Sequence, residues 1–331
     1  MSKYKKHIVF VFKIVILALV AIWVYKELNK SWGELSKHTW DFHYGWLLLS
    51  GVLYAVAYLP PCAFWFFIMR RLGQRPAVLT TLRAYYIGHL GKYVPGKAVV
   101  VLLRAGLVKS ERVSATFASI AVFFETLLMM AVGGFISAAI ILVWFRENEQ
   151  HTMLVLAAIA MMVVTALPIY PPVFRAVTKR IKISKTAADI DEKLQNINLL
   201  SLAYGWCLMC VTWILLGCCL WASIRGLGFE TGSLTEHLPR FTAAVALSTV
   251  LGFLAMMPGG IGVRDWALAQ LLTFYFAALA TQQLTSNNDL TPETIALVVA
   301  AVQRMISILT ELAVSSVLLP LGRKRTYNEH D

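Results

Sequence analysis

Residues 253–272, with the sequence FLAMMPGGIGVRDWALAQLL, decide how this chain folds. They lie within a long apolar stretch, 241–280, which is interrupted by Pro258, Gly259 and Gly260. Proline cannot continue a helix, and glycine permits a sharp turn of the backbone. The pattern therefore predicts a helical hairpin, in which two apolar arms are joined by a glycine-rich turn.

An earlier apolar stretch, 82–108, has the same construction, because Pro95 and Gly96 interrupt it near its middle. Glycines at such a turn expose backbone N–H groups, and the helix that follows directs its positive end towards the turn. Both features favour the binding of an anion. The candidate turn and anion-binding backbone residues are Pro95, Gly96, Pro258, Gly259, Gly260 and Gly262.

The composition places the chain in a lipid bilayer. Of its 331 residues, 58% are hydrophobic and only 15% are charged, and the mean hydropathy is +0.67. A soluble domain has about 25% charged residues, and a single core of this size cannot bury so much apolar surface. These values exclude an ordinary water-soluble enzyme and indicate an integral membrane protein.

Six further apolar runs are long enough to cross the membrane, since a crossing helix needs about 20 apolar residues. The predicted full transmembrane helices are 8–25, 45–69, 114–145, 153–170, 199–224 and 293–319. Together with the two broken stretches they predict an all-α polytopic membrane protein with six transmembrane helices and two re-entrant helical hairpins. A re-entrant hairpin leaves the bilayer by the side on which it entered, whereas the alternative is a pair of kinked helices.

The basic residues of the loops predict the orientation of the chain. If both hairpins are re-entrant, most basic loop residues fall on one side, including those of a basic linker at 171–198. Lysine and arginine accumulate in the cytoplasmic loops of membrane proteins. We therefore expect a multi-pass protein of the cytoplasmic (inner) membrane, with the linker and both termini in the cytoplasm.

The order of the predicted elements repeats. Residues 1–145 and residues 146–331 each contain three crossings and one hairpin. Because three is an odd number, the second repeat enters from the opposite side, so the hairpin 82–108 opens to the cytoplasm and the hairpin 241–280 opens to the outside. Inverted repeats of this kind form transport sites where their broken segments approach the middle of the bilayer.

Charged residues inside these apolar stretches are the best candidates for function, because a charge in hydrocarbon is costly unless it is paired or hydrated. The candidate substrate-binding residues are Lys92, Lys97, Arg104, Glu125, Arg264, Asp265, Arg304 and Glu311. Bases outnumber acids, so a water-lined cavity among them would attract an anion such as a phosphate head group. The acids would hold the bases in place when the site is empty.

Two other interpretations of these polar residues stay open. The charged side chains can instead form structural ion pairs between packed helices. His89 is either an interior histidine that is held by hydrogen bonds or a proton relay.

Several of these residues fall in motifs that resemble the lysylphosphatidylglycerol synthase transmembrane-region family, also described as flippase-like integral membrane proteins. The motifs are Tyr93-Val94-Pro95-Gly96-Lys97 with Arg104, Glu125 in an apolar helix, Pro258-Gly259-Gly260-Ile261-Gly262-Val263-Arg264-Asp265, and Arg304 in the last helix. The family usually has glutamate at the position of Asp265 and often has a base at that of Thr126, and either departure can alter the choice of head group. In fused members a soluble aminoacyl-transferase domain follows the membrane region. This chain stops at Asp331, so the resemblance implies translocation of a lipid without its aminoacylation.

We therefore expect an integral membrane lipid translocator, not an enzyme, that moves a lipid with an anionic or phosphate-bearing head group between leaflets. The resemblance is compatible with a phospholipid, a polyprenyl phosphate or a hopanoid-type lipid. We expect no cofactor, no metal ion and no nucleic acid. The main alternative is an accessory or scaffold subunit of membrane lipid or envelope synthesis, acting as an oligomer or with a partner synthase.

Two fragments resemble enzyme signatures but fit them poorly. The spacing of Lys97 and Arg104 matches part of a membrane lipid-phosphatase signature, yet Ala105 stands where that signature has proline. Asp189-Ile190-Asp191 resembles the metal-binding motif of glycosyltransferases, but its loop is too short for a nucleotide-binding domain. A lipid phosphatase or a glycosyltransferase is therefore the weakest alternative.

Overall fold

The computed structural model describes residues 40–94, 98–145, 193–229, 231–255, 258–260, 262–280 and 291–322, with a few isolated positions outside these ranges. Within the described residues the chain is helical and forms no β-strand, which confirms the all-α prediction there. The predicted spans 8–25 and 153–170 lie almost entirely outside the described residues. The same is true of Pro95, Gly96 and Lys97 and of most of the linker 171–198.

The described part of the chain contains nine α-helices. They are α1 (Tyr44–Ala57), α2 (Leu59–Arg71), α3 (Val78–His89), α4 (Ala98–Val108), α5 (Ala115–Phe145), α6 (Leu199–Gly226), α7 (Leu234–Leu254), α8 (Val263–Ala280) and α9 (Pro292–Leu318). Short 3₁₀ turns at Leu90–Tyr93, Pro258–Gly260 and Pro320–Gly322 complete the regular structure of the described residues.

Five segments of the described chain are long and apolar enough to cross a membrane. They are Tyr44–Arg71, Ala115–Val143, Leu199–Gly226, Leu234–Leu254 and Pro292–Leu318. Four of them coincide with the predicted spans 45–69, 114–145, 199–224 and 293–319. The chain is therefore a multi-pass membrane protein.

The fifth segment is α7, which the sequence analysis placed in the first arm of the second hairpin. This arm begins at Leu234 rather than at residue 241, so it is longer than predicted. Its extra turns contain Glu236 and Pro239, which interrupt the apolar run without ending the helix. The apolar pattern therefore gave too short a helix at this point.

Both broken stretches form pairs of helices that pack side by side. In the first hairpin α3 packs along α4, and a Cβ atom added to Gly88 would lie only 2.5 Å from Cγ of Arg104. In the second hairpin α7 packs along α8, and a Cβ atom on Gly252 would lie 2.8 Å from Cβ of Arg264. In each pair, a glycine on the first arm makes room for the arginine on the second.

The long helices connect the two hairpins. Helix α5 packs against α4 of the first hairpin and α7 of the second, whereas α9 packs against α8 of the second hairpin and α3 of the first. Each long helix therefore contacts the second arm of one hairpin and the first arm of the other. The two hairpins cannot move apart without breaking contacts to α5 or α9.

A buried polar cluster joins α1, α6 and α9. The Ser50 hydroxyl lies 2.8 Å from the Ser223 hydroxyl, which donates to Oε1 of Gln303 over 2.6 Å. The Gln303 amide donates to Sγ of Cys219 over 3.2 Å. Between helices in lipid, small residues permit close approach and hydrogen bonds of this kind add to the packing energy. The cluster fixes the three helices behind the hairpins.

Candidate functional site

The turns of the two hairpins meet. Gly259 has φ +58°, and a Cβ atom there would lie 3.0 Å from Cδ1 of Tyr93 and 3.2 Å from Nη2 of Arg304. Arg304, on α9, donates from Nη2 to the Gly259 carbonyl oxygen over 3.1 Å. The second turn is therefore seated between an aromatic ring of the first turn and a guanidinium of α9, in a backbone conformation that L side chains rarely adopt.

A buried ion pair links the first hairpin to α5. Arg104 donates from Nη1 to Oε2 of Glu125 over 2.8 Å, and the two residues are 3% and 1% exposed. The Tyr85 hydroxyl donates to Oε1 of Glu125 over 2.9 Å, and the Tyr85 ring lies 3.8 Å from the guanidinium carbon. Both carboxylate oxygens are thus hydrogen-bonded, which is the condition for a stable buried charge pair.

A second carboxylate, on α9, holds the first turn. Glu311 accepts a charge-assisted hydrogen bond at Oε1 from Lys92 and a further one from the Tyr54 hydroxyl. The Tyr93 hydroxyl donates to its Oε2 over 2.7 Å. Glu311 is 4% exposed, and both oxygens of this buried carboxylate accept hydrogen bonds. Together the two carboxylates anchor both arms of the first hairpin to the long helices.

His89 lies between the two ion pairs. Its Nδ1 is 3.2 Å from Nη2 of Arg104, and its Nε2 is 3.0 Å from Nζ of Lys92 and 3.6 Å from Oε1 of Glu311. A guanidinium and an ammonium group both have donors only, so each ring nitrogen faces a donor and the neutral ring accepts from one of them. His89 is therefore held by hydrogen bonds between the two ion pairs, an arrangement that is compatible with both of its predicted roles.

A cavity of about 260 Å³ opens between the hairpins. Its charged lining residues are Lys92, Arg104, Glu125 and Arg264, so cations outnumber the carboxylate. Backbone of Gly259 and Gly260 forms part of its wall, where helix α8 begins. The remaining lining is mainly apolar and comes from α4, α5 and α7. A cationic interior with an apolar surround suits an anion that carries hydrocarbon.

Arg264 differs from the other cations of the cavity. Among the described residues it forms no ion pair and donates no side-chain hydrogen bond, and its side chain is partly exposed to the cavity. Its neighbour Asp265 does not line the cavity, and Oδ2 of Asp265 is buried without a hydrogen-bond partner in the described part of the chain. The second hairpin therefore presents an arginine that is not neutralised by a contacting carboxylate.

The structure brings most of the predicted site residues together. Lys92, Arg104, Glu125, Arg264, Gly259 and Gly260 line one cavity. Glu311 and Arg304 adjoin it through Lys92 and Gly259, and Pro258 and Gly262 flank the second turn, where Gly262 has φ +75°. Asp265 lies outside the lining, while Lys97, Pro95 and Gly96 lie outside the described residues.

The tyrosines were missed by the sequence analysis. Hydroxyl groups of Tyr54, Tyr85 and Tyr93 complete the hydrogen bonding of the two carboxylates. A signal for one of them exists, since Tyr85 and His89 are spaced as i and i+4 on one face of α3, just before Lys92 in the following turn. Polar groups on one face of an apolar helix indicate a buried polar site.

Comparison with known proteins supports the membrane assignment. A search of curated proteins gave no match. The family model described as "Lysylphosphatidylglycerol synthase TM region" matches residues 10–282, a range that includes every residue lining the cavity. Arg304 and Glu311 follow that range in the sequence. With more than half of its length matched, the chain belongs to the lysylphosphatidylglycerol synthase transmembrane-region family.

Proposed function

We propose that the protein moves a lipid with a phosphate-bearing head group between the two leaflets, with the head group held in the cavity between the hairpins. The observation that carries this proposal is the cavity itself, in which both hairpins supply cations at the point where their turns meet. A phosphate is the commonest anion among membrane lipids, and a phospholipid or a polyprenyl phosphate would provide one.

The lengths of its arms support a re-entrant arrangement of the first hairpin. Helices α3 and α4 have 12 and 11 residues, which at 1.5 Å per residue is roughly 18 and 17 Å. The hydrocarbon layer is about 30 Å thick, so neither arm crosses it. The second hairpin is longer, since α7 as a whole is long enough to cross and the 18 residues of α8 extend roughly 27 Å. Helix length therefore supports re-entry for the first hairpin alone.

The packing of the long helices supports an inverted repeat. If the repeats 1–145 and 146–331 are equivalent, α5 corresponds to α9, and the arms α3 and α4 correspond to α7 and α8. The contacts of α5 with α4 and α7 then correspond to contacts of α9 with α8 and α3. All four contacts are present. We infer that the hairpins enter from opposite leaflets and that both termini are cytoplasmic.

The cavity offers a lateral route for the lipid. Its floor is one face of α5, which includes Val122, Phe123 and Met130, and its sides are α4 and α7. Phe123 is 52% exposed, so the cavity reaches the outer surface of the helices in the apolar part of α5. A head group can therefore enter between α4 and α7 while its acyl chains stay in lipid.

On the side of α9 the contact between the hairpins is packed with apolar side chains. Tyr93 and Val94 of the first turn pack with Ile308 of α9 in a small apolar cluster that Leu312 extends. Translocation would require this cluster to separate while the groove over α5 closes. The two halves would rock about the contact between the turns, as transporters with inverted repeats do.

Leaflet exchange of a fluorescent phospholipid in liposomes tests the proposal. We expect the purified protein to accelerate exchange, the Arg264→Gln variant to lose most of this acceleration, and the control Arg70→Gln, at an exposed residue of α2, to retain it. Unchanged exchange in a well-folded Arg264→Gln protein would contradict the head-group role. Chemical conversion of the lipid would indicate an enzyme, and neither exchange nor conversion would favour an accessory subunit.

A further inference from the structure

We propose that Arg264 is the anchor of the head group and that the cavity accepts a singly charged phosphate diester in preference to a doubly charged phosphate monoester or a diphosphate. This inference rests on the proposed function only in taking the cavity as the head-group site. It follows from which of the cavity cations already have partners.

Two of the three cations that line the cavity are neutralised within the protein. Lys92 is paired with Glu311, and Arg104 is paired with Glu125. Both terminal nitrogens of Arg104 are engaged, Nη1 by Glu125 and Nη2 by His89, and Tyr85 covers one face of the guanidinium. Their charges are therefore already balanced, and Arg104 is only 3% exposed, so neither residue offers an unneutralised cation to a bound phosphate.

Arg264 lies in the same cavity with its donors available. It makes no side-chain hydrogen bond among the described residues. None of its side-chain nitrogens is fully buried, and the residue lines the cavity. The planar fork of a guanidinium matches two oxygens of a phosphate and binds them with parallel hydrogen bonds. A phosphate diester has two free oxygens, which this fork can take together.

The charge balance then limits the charge of the ligand. The lining cations Lys92, Arg104 and Arg264, taken with Glu125 and with Glu311 behind Lys92, leave one positive charge in the described part of the site. Arg304 and Asp265 do not line the cavity, and because their formal charges are opposite they leave this sum unchanged. A monoanion neutralises these described groups, whereas a dianion adds a negative charge that they do not balance and that is costly to desolvate.

Binding of short-chain lipids to the full-length protein in detergent tests this inference. The probes are dihexanoyl phosphatidylglycerol, a monoanionic diester, dihexanoyl phosphatidic acid, a monoester, and zwitterionic dihexanoyl phosphatidylcholine. A phosphate monoester loses its second proton near pH 6, so phosphatidic acid is measured at about pH 5 and at about pH 8. Phosphatidylglycerol keeps its single charge at both pH values and reports any change in the protein.

We expect phosphatidylglycerol to bind at least about ten times more tightly than phosphatidylcholine. Phosphatidic acid should bind about as well as phosphatidylglycerol at the lower pH and several times more weakly at the higher pH, where phosphatidylglycerol is unchanged. Tighter binding of the doubly charged form would overturn the inference, because the site would then have more than one positive charge to offer.

Variants of Arg264 test its role directly. Arg264→Gln should weaken phosphatidylglycerol binding about tenfold or more, whereas Arg264→Lys, which keeps the charge and loses the fork, should retain an intermediate affinity. Arg70→Gln should bind as the unmodified protein does. If Arg264→Gln binds phosphatidylglycerol as tightly as the unmodified protein and melts at the same temperature, Arg264 is not the anchor. If the glutamine variant does not fold, Arg264→Lys decides the question, because an unreduced affinity would contradict the role of the guanidinium fork.

The binding and exchange measurements fail separately. Selective binding of the monoanion without leaflet exchange would leave the charge selectivity standing and remove the transport function. Leaflet exchange with a preference for the doubly charged lipid would leave transport standing and remove the inference.

Discussion

The two hairpins each carry an arginine on their second arm, and the surroundings of these arginines differ. Arg104, on α4, is 3% exposed and contacts a carboxylate, an imidazole and an aromatic face. Arg264, on α8, faces the cavity and has no such partner among the described residues. The difference teaches that the partners of a buried charge, rather than its residue type or its place in the repeat, separate a group that holds the fold from one that can bind a ligand.

The largest effect on stability is expected from Arg104→Gln. The change leaves the carboxylate of Glu125, which is 1% exposed, without its counter-charge. Breaking one partner of a buried ion pair costs about 3–5 kcal/mol in the free energy of unfolding. The measurement is unfolding in detergent by titration with a denaturing surfactant.

The matched control for this change removes both charges. The double variant Arg104→Gln with Glu125→Gln should recover more than half of the lost stability, because no unpaired charge remains. If Arg104→Gln alone costs less than about 1 kcal/mol, the ion pair does not hold the first hairpin, and Arg104 resembles Arg264 more closely than we conclude.

Gly259→Ala is expected to have the next largest effect, at the turn of the second hairpin. Its φ of +58° and the 3.0 Å approach to Tyr93 both disfavour a side chain, so we expect a loss of about 2–3 kcal/mol in unfolding free energy. The same substitution at Gly106, in α4, should be neutral or slightly stabilising. No neighbouring atom lies within 4 Å of a Cβ atom added there, and alanine favours a helix. Equal results at the two glycines would show that the turns do not pack as described.

Removing one tyrosine hydroxyl from each hairpin sharpens the comparison. Tyr85→Phe removes a hydrogen bond to the Glu125 carboxylate and should cost about 1–2 kcal/mol. Tyr275→Phe, in α8, removes a buried hydroxyl that has no partner in the described part of the chain, so stability should be unchanged or increased. Thermal unfolding of the two variants side by side provides the measurement. A larger loss at Tyr275 would reverse the assignment of the two hydroxyls.

The smallest effect on stability is expected from Arg264→Gln in protein without added lipid. Because Arg264 makes no ion pair or side-chain hydrogen bond in the described residues, the unfolding free energy should change by less than about 0.5 kcal/mol. A loss comparable with that of Arg104→Gln would mean that Arg264 also holds the fold, and the contrast between the two hairpins would disappear.

The long helices were predictable because the thickness of the bilayer imposes their length. The predicted spans 114–145 and 293–319 differ from Ala115–Phe145 and Pro292–Leu318 by single residues at their ends. The predicted start of α7 was wrong, because the apolar pattern stops at Glu236 and Pro239 while the helix contains both residues.

The charged residues of the site were predictable and their pairing was not. A charge in an apolar run is visible in the sequence, and Lys92, Arg104 and Arg264 were found in that way. The partner of each charge depends on which helices pack together, and Glu311 is far from Lys92 in the sequence. Asp265 stands beside Arg264 in the motif and yet does not line the cavity, because neighbours on a helix point in different directions.

The packing of α5 between arms of both hairpins has a consequence for biosynthesis. Helix α5 emerges from the ribosome long before α7, so the wall of the groove that α7 supplies is missing while the first half of the chain is already inserted. The Arg104 and Glu125 pair can form at that stage, because both residues belong to the part made first. This early pair prevents two unpaired charges from facing lipid tails until the later helices are inserted. A chain that stops before Glu125 would leave Arg104 unpaired in the membrane, and such a chain should be a substrate for membrane quality control.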